Sequence, residues 1–375
     1  MDKLRVMTVV GTRPEIIRLS RVLTKLDNYE AIEHISVHTG QNYDFELNEI
    51  FYSDLGLNVP KFKLSCAGGN PAETVGRIFV EVNKLIETEK PDAFLILGDT
   101  NSCLSAIIAK KHKIPIFHME AGNRCFSELV PEETNRKLVD HIADINLTYS
   151  SIAREYLISE GISPDRIIKT GSPMKEVLDH YSNKINSSTI LKKLNLVSGN
   201  YFVVSFHREE NVTDDNLLKD FLNTLNEISS IYRMPIIFSA HPRTKKNIED
   251  SGICLRREIR IMSPFGFSDY IQLQKNSFIV LSDSGTISEE SSLLNFRALN
   301  IRKNHERPEA MEEASVIMTG LSRDRILQSI SVISSQNIGA KRDLSIVMDY
   351  DKSNVSEKVI RILLSYADYV NYKKI

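Results

Sequence analysis

Residues 4–26 read LRVMTVVGTRPEIIRLSRVLTKL, an apolar run, a glycine turn and an amphipathic pattern in direct succession. The run Leu4–Val10 is rich in aliphatic and β-branched residues, which predicts a strand. After the turn, apolar residues recur at helical spacing: Ile16, Leu19, Leu23 and Leu26. This stretch therefore predicts a βα unit, the building block of an α/β protein.

The same alternation continues along the chain. In the first half, strands are predicted at Leu4–Val10, Ile35–Thr39, Ala93–Leu97, Ile114–Met119, Ile145–Tyr149 and Ile167–Thr170. In the second half, they are predicted at Tyr201–Phe206, Pro235–Ala240, Ile259–Met262, Ser277–Leu281, Ala298–Ile301 and Ser315–Met318. Strands that alternate with helical patterns indicate parallel sheets covered by helices on both faces.

Two domains are predicted, because 375 residues exceed one ordinary hydrophobic core. The alternation weakens across Lys175–Asn200, which contains the polar run SNKINSS. We therefore expect Rossmann-like domains at 1–173 and 174–354, with a last helix at 355–375 that can pack back onto the first domain. Two such sheets facing each other would place the carboxyl ends of their strands, and hence their ligands, in a central cleft.

Composition narrows the classes of function. A formal net charge of -2 disfavours a general nucleic-acid surface. No apolar run has the length of a membrane span, and no targeting leader is evident. The four cysteines lack paired spacing, so we expect reduced thiols in a cytoplasmic protein and no metal site: Cys66, Cys103, Cys125 and Cys254. A G-x-G-x-x-G fingerprint is missing, so no dinucleotide cofactor is expected.

The stretch FHMEAGNRCFSELVPEETNR, residues 117–136, holds four acids, three of which lie where a strand ends or a helix begins. Glu120 follows the apolar run, and Glu132 and Glu133 open the helix. The counter-charges are the two arginines of the stretch: Arg124 and Arg136. Acids buried at the end of a strand are costly unless they are paired or functional. The stretch therefore predicts acid/base chemistry.

Two further polar turns follow predicted strands in the first half. Gly11–Glu15 leads into the first helix, and Arg13 beside that helix N-terminus predicts an anion site. Asp99 follows the third strand, where it either caps the next helix or serves as another functional acid.

The second half repeats this arrangement. His207 lies at the exit of a strand, where it can bond a phosphate oxygen or act as an acid near neutral pH. The segment His241–Arg243 follows the next strand as either a ligand contact or a turn. Residues 282–290 read SDSGTISEE, small residues that open a helix, which predicts phosphate binding. Glu290, one turn further, can reach a sugar diol.

Taken in the order in which they occur along the chain, these motifs resemble those of the non-hydrolysing UDP-N-acetylglucosamine 2-epimerase family. The likeness runs from Gly11 to about Met311 and rests on these motifs: GTRPE at 11–15, GDT at 98–100, EAG at 120–122, PEETNR at 131–136, the His207 segment, DSG with the paired glutamates at 283–290, and ERPEA at 306–310. It implies two Rossmann-like domains in the arrangement of GT-B glycosyltransferases, with the active site between them. It also implies a UDP-sugar substrate, no cofactor, and a homodimer or larger homo-oligomer.

The resemblance also assigns residues. It implies catalytic carboxylates at Asp99, Glu120 and Glu132, and His207 as a further catalytic group beside the diphosphate. It implies that Glu290 binds the ribose. The predicted substrate-binding residues are Arg13, Arg18, Gln41, Arg124, Arg136, Arg208, Ser284, Gly285, Thr286, Glu290 and Arg307.

The chain departs from the best-known members of that family where the sugar should sit. Those members have lysine at Arg18, GLR at 122–124, DSGG at 283–286, a GQH-type loop at 40–44, and a longer, more aromatic segment before PEE. The departures resemble the branch that acts on 6-deoxy-L-sugars, the UDP-N-acetyl-L-fucosamine synthases of capsule and O-antigen pathways. This likeness implies inversion of UDP-2-acetamido-2,6-dideoxy-L-talose at C2.

The family route expels UDP from C1 as the C2 proton is removed, and UDP re-adds after protonation from the opposite face. Two faces need two proton-transfer groups, which fits several carboxylates. The alternatives are the same chemistry on UDP-N-acetylglucosamine or on the L-rhamnosamine/L-quinovosamine pair, a GT-B glycosyltransferase, and a non-catalytic UDP-sugar-binding regulator.

Overall fold

The computed structural model describes residues 2–41, 52–128, 130–208 and 214–372, with 371 and 372 described by their backbone alone. The chain divides into two compact units, residues 1–180 with 348–375 and residues 181–347. The first unit thus extends to His180 rather than to residue 173, because the helix Met174–His180 packs on the first helix of that unit. The second unit ends at Val347 rather than at residue 354.

The first unit is built on a parallel sheet. Its strands, among the described residues, are β1 (Leu4–Val10), β2 (Ile32–His38), β3 (Phe62–Lys63), β4 (Ala93–Leu97), β5 (Ile116–Ala121), β6 (Ile145–Thr148) and β7 (Ile167–Lys169), in the order β3-β2-β1-β4-β5-β6-β7. Its helices are α1 (Arg13–Asn28), α2 (Pro71–Glu89), α3 (Ala106–Lys111), α4 (Pro131–Ile142), α5 (Ser151–Ser159), α6 (Met174–His180) and the C-terminal helix Val355–Tyr372. Short 3₁₀ turns lie at Asn101–Ser105 and Pro164–Arg166.

The second unit has the same architecture. Its described strands are β8 (Phe202–Ser205), β9 (Ile236–Ser239), β10 (Ile259–Met262), β11 (Ile279–Ser282), β12 (Ala298–Asn300) and β13 (Ile317–Met318), all parallel, in the order β10-β9-β8-β11-β12-β13. Its helices are α7 (Ser182–Asn186), α8 (Ile190–Lys193), α9 (Asp215–Tyr232), α10 (Pro242–Asp250), α11 (Phe267–Lys275), α12 (Ile287–Leu294), α13 (Pro308–Glu312) and α14 (Arg323–Ile333).

The prediction of two α/β domains with parallel, Rossmann-like sheets is confirmed. Strands β1, β4 and β10 begin and end at the predicted residues, and the other predicted strands shift by a few residues at their ends. Strand β3 was missed because two residues carry no periodic signal. In each sheet the strand order reverses beside β1 or β8, which is the point where open α/β sheets bind ligands.

The core explains why the strand ends are fixed in place. Every residue of β4 is at most 1% exposed, because helices cover both faces of the sheet. Ile78, Val82 and Ile86 of α2 belong to the same buried cluster as Phe94 and Ile96 of β4. Each such side chain contributes roughly 1.5–3 kcal/mol when fully buried. The turns at the carboxyl ends of these strands are therefore held on a rigid base.

The C-terminal helix belongs to the first unit. Lys25 Nζ of α1 lies 2.9 Å from Glu357 Oε2, and Ser356 N donates to Glu176 Oε2 of α6 at 2.8 Å. None of the helices in the described ranges is long and apolar enough to span a membrane.

Gly11, in the turn between β1 and α1, leaves no room for a side chain. A Cβ built there would overlap Ser102 Oγ and lie 2.6 Å from Thr39 Oγ1. Gly11→Ala is therefore expected to lower the free energy of unfolding by about 1–3 kcal/mol, measured by urea denaturation. Gly76→Ala is the matched control, because a Cβ at this helical position meets nothing within 4 Å. It should stabilise the protein by about 0.5–1 kcal/mol. Equal stability of the two variants would contradict the predicted overlap.

Candidate active site

Three polar turns lie side by side at one edge of the first sheet. They lie at the carboxyl ends of β1, β4 and β5, which are neighbours in the sheet: Arg13 begins α1 after β1, Asp99 lies in the turn after β4, and Glu120 is the last residue but one of β5. A Cβ built at Gly98 would lie 3.9 Å from Glu120 Oε2, so the Glu120 carboxylate reaches the turn that bears Asp99. The structure thus brings together these predicted site residues of the first unit.

The backbone of Glu120, near the end of β5, has an unusual conformation. Its φ is +66°, and the pairing of β5 with β6 shifts register between Met119 and Ala121. A positive φ is uncommon outside glycine, and such strain concentrates at functional sites. The carboxylate is held on both oxygens, since Arg18 Nη1 bonds Oε2 and Asn123 Nδ2 donates to Oε1 at 3.1 Å. Arg18, predicted to bind substrate, is therefore buried against a predicted catalytic acid.

Asp99 is held on one oxygen only. Arg136 donates to its Oδ2 from Nε at 3.0 Å and from Nη2 at 2.6 Å. Asn135 Nδ2 donates to the backbone carbonyl of Asp99 at 2.9 Å. The side chain keeps 26% of its surface exposed, and Oδ1 accepts no hydrogen bond within the described residues. Asp99 therefore presents a fixed carboxylate with one oxygen available, which disfavours the alternative of a plain helix cap.

The adjacent acids of α4 differ in their surroundings. Glu133 is buried and accepts hydrogen bonds from Cys125 N, Phe126 N and Arg136 Nη1 at 3.1, 3.2 and 2.8 Å. Burial alone would raise the pKa of Glu133, but the Cys125 bonds and nearby cations outweigh it and lower that pKa. Glu132 is half-buried, and its carboxylate makes no hydrogen bond or ion pair in the described part of the chain. Glu133 thus has structural partners, whereas Glu132 is available for chemistry.

Arg124, predicted to bind substrate, is instead enclosed by acids of the protein. It donates to Glu160 from Nε at 2.7 Å and from Nη2 at 2.6 Å, and its Nη1 bonds Asp140 Oδ2 at 2.7 Å. His118 contacts the same aspartate: its Nδ1 lies 2.9 Å from Asp140 Oδ1, and its Nε2 lies 2.8 Å from Gly98 O. Burial alone would raise the pKa of Asp140, but His118 and Arg124 lower it. This placement favours a structural role for Arg124, in which it fixes the turn after Glu120.

Gln41 also has an internal partner. Its amide oxygen accepts from Ser102 N at 2.9 Å and from Ser102 Oγ at 2.7 Å. This contact joins the loop after β2 to the 3₁₀ turn after β4, so the predicted contact of Gln41 with substrate stays a prediction. Arg13 lies at the first position of α1, half-buried beside the helix N-terminus. That position suits an anion.

In the second unit, Asp283 fixes the loop after β8. It is fully buried, and its carboxylate accepts from His207 N and Arg208 N, each at 2.9 Å. His207 Nδ1 lies 2.9 Å from Asp283 Oδ1. Burial alone would raise the pKa of Asp283, but the His207 charge and these hydrogen bonds lower it to about 2. Asp283 therefore holds both predicted residues of this loop, His207 and Arg208, at the end of β8.

The predicted phosphate loop lies between β11 and α12. Ser284 Oγ lies 3.0 Å from Thr286 Oγ1, and Ser284 N donates to Ser282 Oγ at 3.1 Å. These contacts shape a compact turn around Gly285 immediately before the helix. Glu290, predicted to bind ribose, is buried and accepts from Gln274 Nε2 at 2.8 Å. The turn and helix N-terminus together offer N–H groups suited to phosphate oxygens.

Charged residues of the ERPEA segment, 306–310, form ion pairs inside the second unit. Arg307 Nη2 donates to Glu289 Oε2 at 3.3 Å. Arg302 binds both oxygens of Glu306, at 2.8 and 2.6 Å. The predicted contact of Arg307 with substrate stays a prediction. Within the described residues, no group of three or more His, Cys, Asp or Glu side chains is placed to hold a metal ion.

Sequence reasoning missed two buried acids that hold the predicted residues in place. Asp140 shares the buried face of α4 with Glu133 and Arg136, four residues after Arg136. A charged residue on the inward face of a predicted helix is the signal that would have found it. Asp283 lies two residues after a predicted strand, in the motif that was interpreted through its serine and glycine.

A family model described as UDP-N-acetylglucosamine 2-epimerase matches residues 24–364. The chain belongs to this family. The predicted resemblance to UDP-N-acetylglucosamine 2-epimerases is thereby confirmed, whereas the 6-deoxy-L-sugar branch is a finer assignment. The protein is an isomerase of the non-hydrolysing UDP-sugar 2-epimerase type.

The chain is similar over most of its length to several named epimerases. A structure of UDP-N-acetylglucosamine 2-epimerase from Rickettsia bellii is 50% identical, covers 98% of each chain and has a TM-score of 0.92. A Methanocaldococcus jannaschii UDP-GlcNAc 2-epimerase in complex with UDP-GlcNAc and UDP is 32% identical over 96% of this chain and 99% of its own, with a TM-score of 0.89. The Pseudomonas aeruginosa UDP-2,3-diacetamido-2,3-dideoxy-D-glucuronate 2-epimerase is 33% identical over 87% of this chain and 91% of its own. Relatives of similar identity thus carry names with different sugars.

Proposed function

We propose that this epimerase converts UDP-2-acetamido-2,6-dideoxy-L-talose to UDP-N-acetyl-L-fucosamine, a precursor for capsule or O-antigen polysaccharide. The observation that carries the proposal is the convergence of Arg18 and Asn123 on the two oxygens of Glu120. These are two positions at which the chain departs from the best-known family members, which have lysine and leucine there. Because both of these substituted side chains bond the Glu120 carboxylate, they indicate a coordinated change in how the sugar is held.

The chemistry of the two side chains supports this interpretation. A planar guanidinium fixes a carboxylate in one orientation, whereas a lysine ammonium acts as a flexible point charge. Asn123 occupies the second oxygen of Glu120, at 3.1 Å. Since each Glu120 oxygen already accepts a hydrogen bond from the protein, the carboxylate has less capacity left for sugar hydroxyls, and this arrangement suits a 6-deoxy substrate that offers one hydroxyl fewer.

The proposed reaction is an elimination followed by a re-addition. A carboxylate takes the C2 proton while the bond from C1 to the diphosphate oxygen breaks, so the electron pair leaves with UDP and a C1–C2 double bond remains. A second acid then protonates C2 on the other face, and the UDP oxygen restores the bond to C1. Asp99 and Glu132 suit these two transfers, because Asp99 Oδ1 and the Glu132 carboxylate have no hydrogen-bond partner among the described residues. Glu120 then supports the substrate together with Arg18.

The groups of the second unit fit the leaving diphosphate. The turn around Gly285 at the start of α12 offers N–H donors for developing negative charge, and the imidazole of His207, which is 46% exposed, adds a polar group at the end of β8. Arg13 at the start of α1 adds a positive charge beside another helix N-terminus. Preorganised donors of this kind favour the departure of UDP.

A second candidate substrate is UDP-N-acetylglucosamine itself, favoured by the name of the 50% identical Rickettsia bellii protein. One experiment separates the candidates: an NMR time course in D₂O with the UDP-N-acetyl-L-talosamine, L-rhamnosamine and D-glucosamine types. We expect rapid C2 inversion of the first sugar, with deuterium at C2 of the product. Faster turnover of the D-glucosamine type would overturn the substrate, and product without deuterium would overturn the elimination. UDP-sugar binding without turnover of any sugar would instead revive the regulator alternative.

The variant Arg18→Lys/Asn123→Leu tests the convergence on Glu120. We expect its preference for the L-talosamine substrate over the D-glucosamine type to fall about 10–100-fold, as the ratio of kcat/KM values. Arg21→Lys is the matched control, because this half-buried arginine of α1 bonds only Thr24 of the same helix, at 3.4 Å, in the described residues. An unchanged preference in the double variant would mean that Arg18 and Asn123 do not determine which sugar the enzyme accepts.

A further inference from the structure

Glu15 is a buried acid at the start of α1 that neutral donors surround. It is 2% exposed, and its Oε2 accepts from Gly11 N at 2.9 Å, Thr12 N at 2.7 Å and Thr12 Oγ1 at 2.8 Å. Its Oε1 accepts from Thr100 Oγ1 at 2.9 Å, with Cys103 Sγ at 3.6 Å. No cationic side chain contacts Glu15 anywhere in the described ranges. Glu15 is therefore held by hydrogen bonds from neutral groups rather than by an ion pair.

A capping role explains only one of the two oxygens. Glu15 is the third residue of α1, and its bond to Thr12 N completes a capping box. The second oxygen reaches across to Thr100, which is 85 residues away in the sequence and lies directly after Asp99. Burial raises the pKa of Glu15, and the bonds from Gly11, Thr12 and Thr100 offset only part of that effect. A helix cap alone does not require a carboxylate so deeply buried.

The two turns joined by Glu15 are those that carry proposed site residues. Gly11 and Thr12 directly precede Arg13, and Thr100 directly follows Asp99. Asp99 is already held on its other side by Arg136, through two hydrogen bonds to Oδ2. The Thr100 bond adds a constraint on the backbone of the same turn. Together they fix Asp99 from two directions.

We propose that Glu15 is a positioning residue of the epimerase, which fixes the Asp99 turn to the Arg13 turn through Thr100. The inference rests on the proposed role of Asp99 in proton transfer. Misplacement of a reacting group by about 1 Å can cost on the order of 100-fold in rate. The loss should therefore appear in kcat more than in KM.

Thr100 offers the cleaner test, because Thr100→Val removes the hydroxyl without changing the shape of the side chain. Thr100 Oγ1 lies 4.0 Å from Cys103 Sγ in the 3₁₀ turn that follows it, but it makes no side-chain cap bond to that turn, so the substitution leaves the backbone hydrogen bonds of the turn in place. We expect Thr100→Val to lower kcat about 10–100-fold with KM within about twofold of wild type. Thr100→Ser restores the hydroxyl and should recover most of the rate. Thermal unfolding of each variant, followed by circular dichroism, establishes that the protein is folded.

A double-mutant cycle with Glu15→Met, which removes the carboxylate that bonds the Thr100 hydroxyl and leaves only a weakly accepting thioether, then assigns the effect to Glu15. If Glu15 acts through Thr100, Thr100→Val should change kcat less than about twofold in the Glu15→Met background. Independent, multiplicative losses would overturn the proposal, as would a wild-type kcat in Thr100→Val. Asp99→Asn measured in parallel separates this failure from that of the proposed function. An impaired Asp99→Asn beside a fully active Thr100→Val rejects only the positioning role, whereas a fully active Asp99→Asn rejects the catalytic role on which it rests.

Discussion

Asp99→Asn is expected to lose about 10²–10⁴-fold in kcat, because a positioned acid or base contributes a factor of that size. Asparagine keeps the size of the side chain and an oxygen for Arg136, whose Nε and Nη2 lie 3.0 and 2.6 Å from Asp99 Oδ2. It cannot accept the C2 proton at the second position. The measurement is the NMR rate of C2 inversion, together with the rate of deuterium incorporation at C2 in D₂O. Both rates should fall together.

Asp92→Asn provides the control for this prediction. Asp92 immediately precedes β4, whereas Asp99 follows it, so the two acids lie at opposite ends of one strand. Asp92 is exposed, and its Oδ2 accepts from Arg5 N at 2.8 Å. The substitution should leave kcat unchanged, because solvent can replace that hydrogen bond. If Asp99→Asn matches Asp92→Asn in rate, Asp99 takes no part in proton transfer.

The positions of the strands and turns could be predicted from the sequence because their causes are local. The apolar run of β4 and the polar turn after it are adjacent in the chain, so Asp99 could be placed at the end of a strand. The same reasoning placed His207 and Ser284 after β8 and β11. Parallel strands bring such turns to one edge of a sheet, whatever the residues between them.

The partners of these side chains could not be predicted, because they lie far away in the sequence. Arg124 stands between Glu120 and Glu132 in the chain, where we predicted a counter-charge to these acids, and the family resemblance implied a contact with substrate. Its guanidinium instead meets Asp140 and Glu160, 16 and 36 residues later. No local pattern records which helix faces which turn. A buried arginine that completes the turn and an exposed one that binds a ligand therefore look alike in sequence.

Asp283 shows the same limit in the second unit. The motif DSG indicated phosphate binding through its small residues, and the aspartate could be read as part of that loop. In the structure Asp283 has a different role: its carboxylate accepts hydrogen bonds from the backbone N–H groups of His207 and Arg208, which are 76 and 75 residues away in the sequence. This role depends on the pairing of β8 with β11, which the sequence alone does not specify.

Asp283→Asn should therefore destabilise the protein and do so in a pH-dependent way. Hydrogen bonds to a charged acceptor contribute about 1.5–3 kcal/mol each, so we expect the free energy of unfolding to fall by about 2–4 kcal/mol at pH 7. Asp343→Asn is the control in the same unit. Asp343 also accepts a backbone N–H, from Asn337 at 2.7 Å, but it is exposed, and its loss should leave the urea midpoint close to that of wild type.

The pH dependence follows from the lowered pKa of Asp283. Its folded-state pKa of about 2 lies below the ordinary value of 3.8, so the carboxylate stabilises the fold above pH 3.8 and loses that contribution as the pH falls towards 2. The full contribution is roughly 2 kcal/mol, of which about 1 kcal/mol is lost by pH 3. Asparagine has no such titration, so the stability gap between wild type and Asp283→Asn should narrow by about 1 kcal/mol between pH 7 and pH 3. A constant gap would mean that the charge of Asp283 does not hold the His207 loop. Since that loop is also the proposed diphosphate contact, affinity for UDP at pH 7 should weaken about tenfold in the same variant, with Asp343→Asn unchanged.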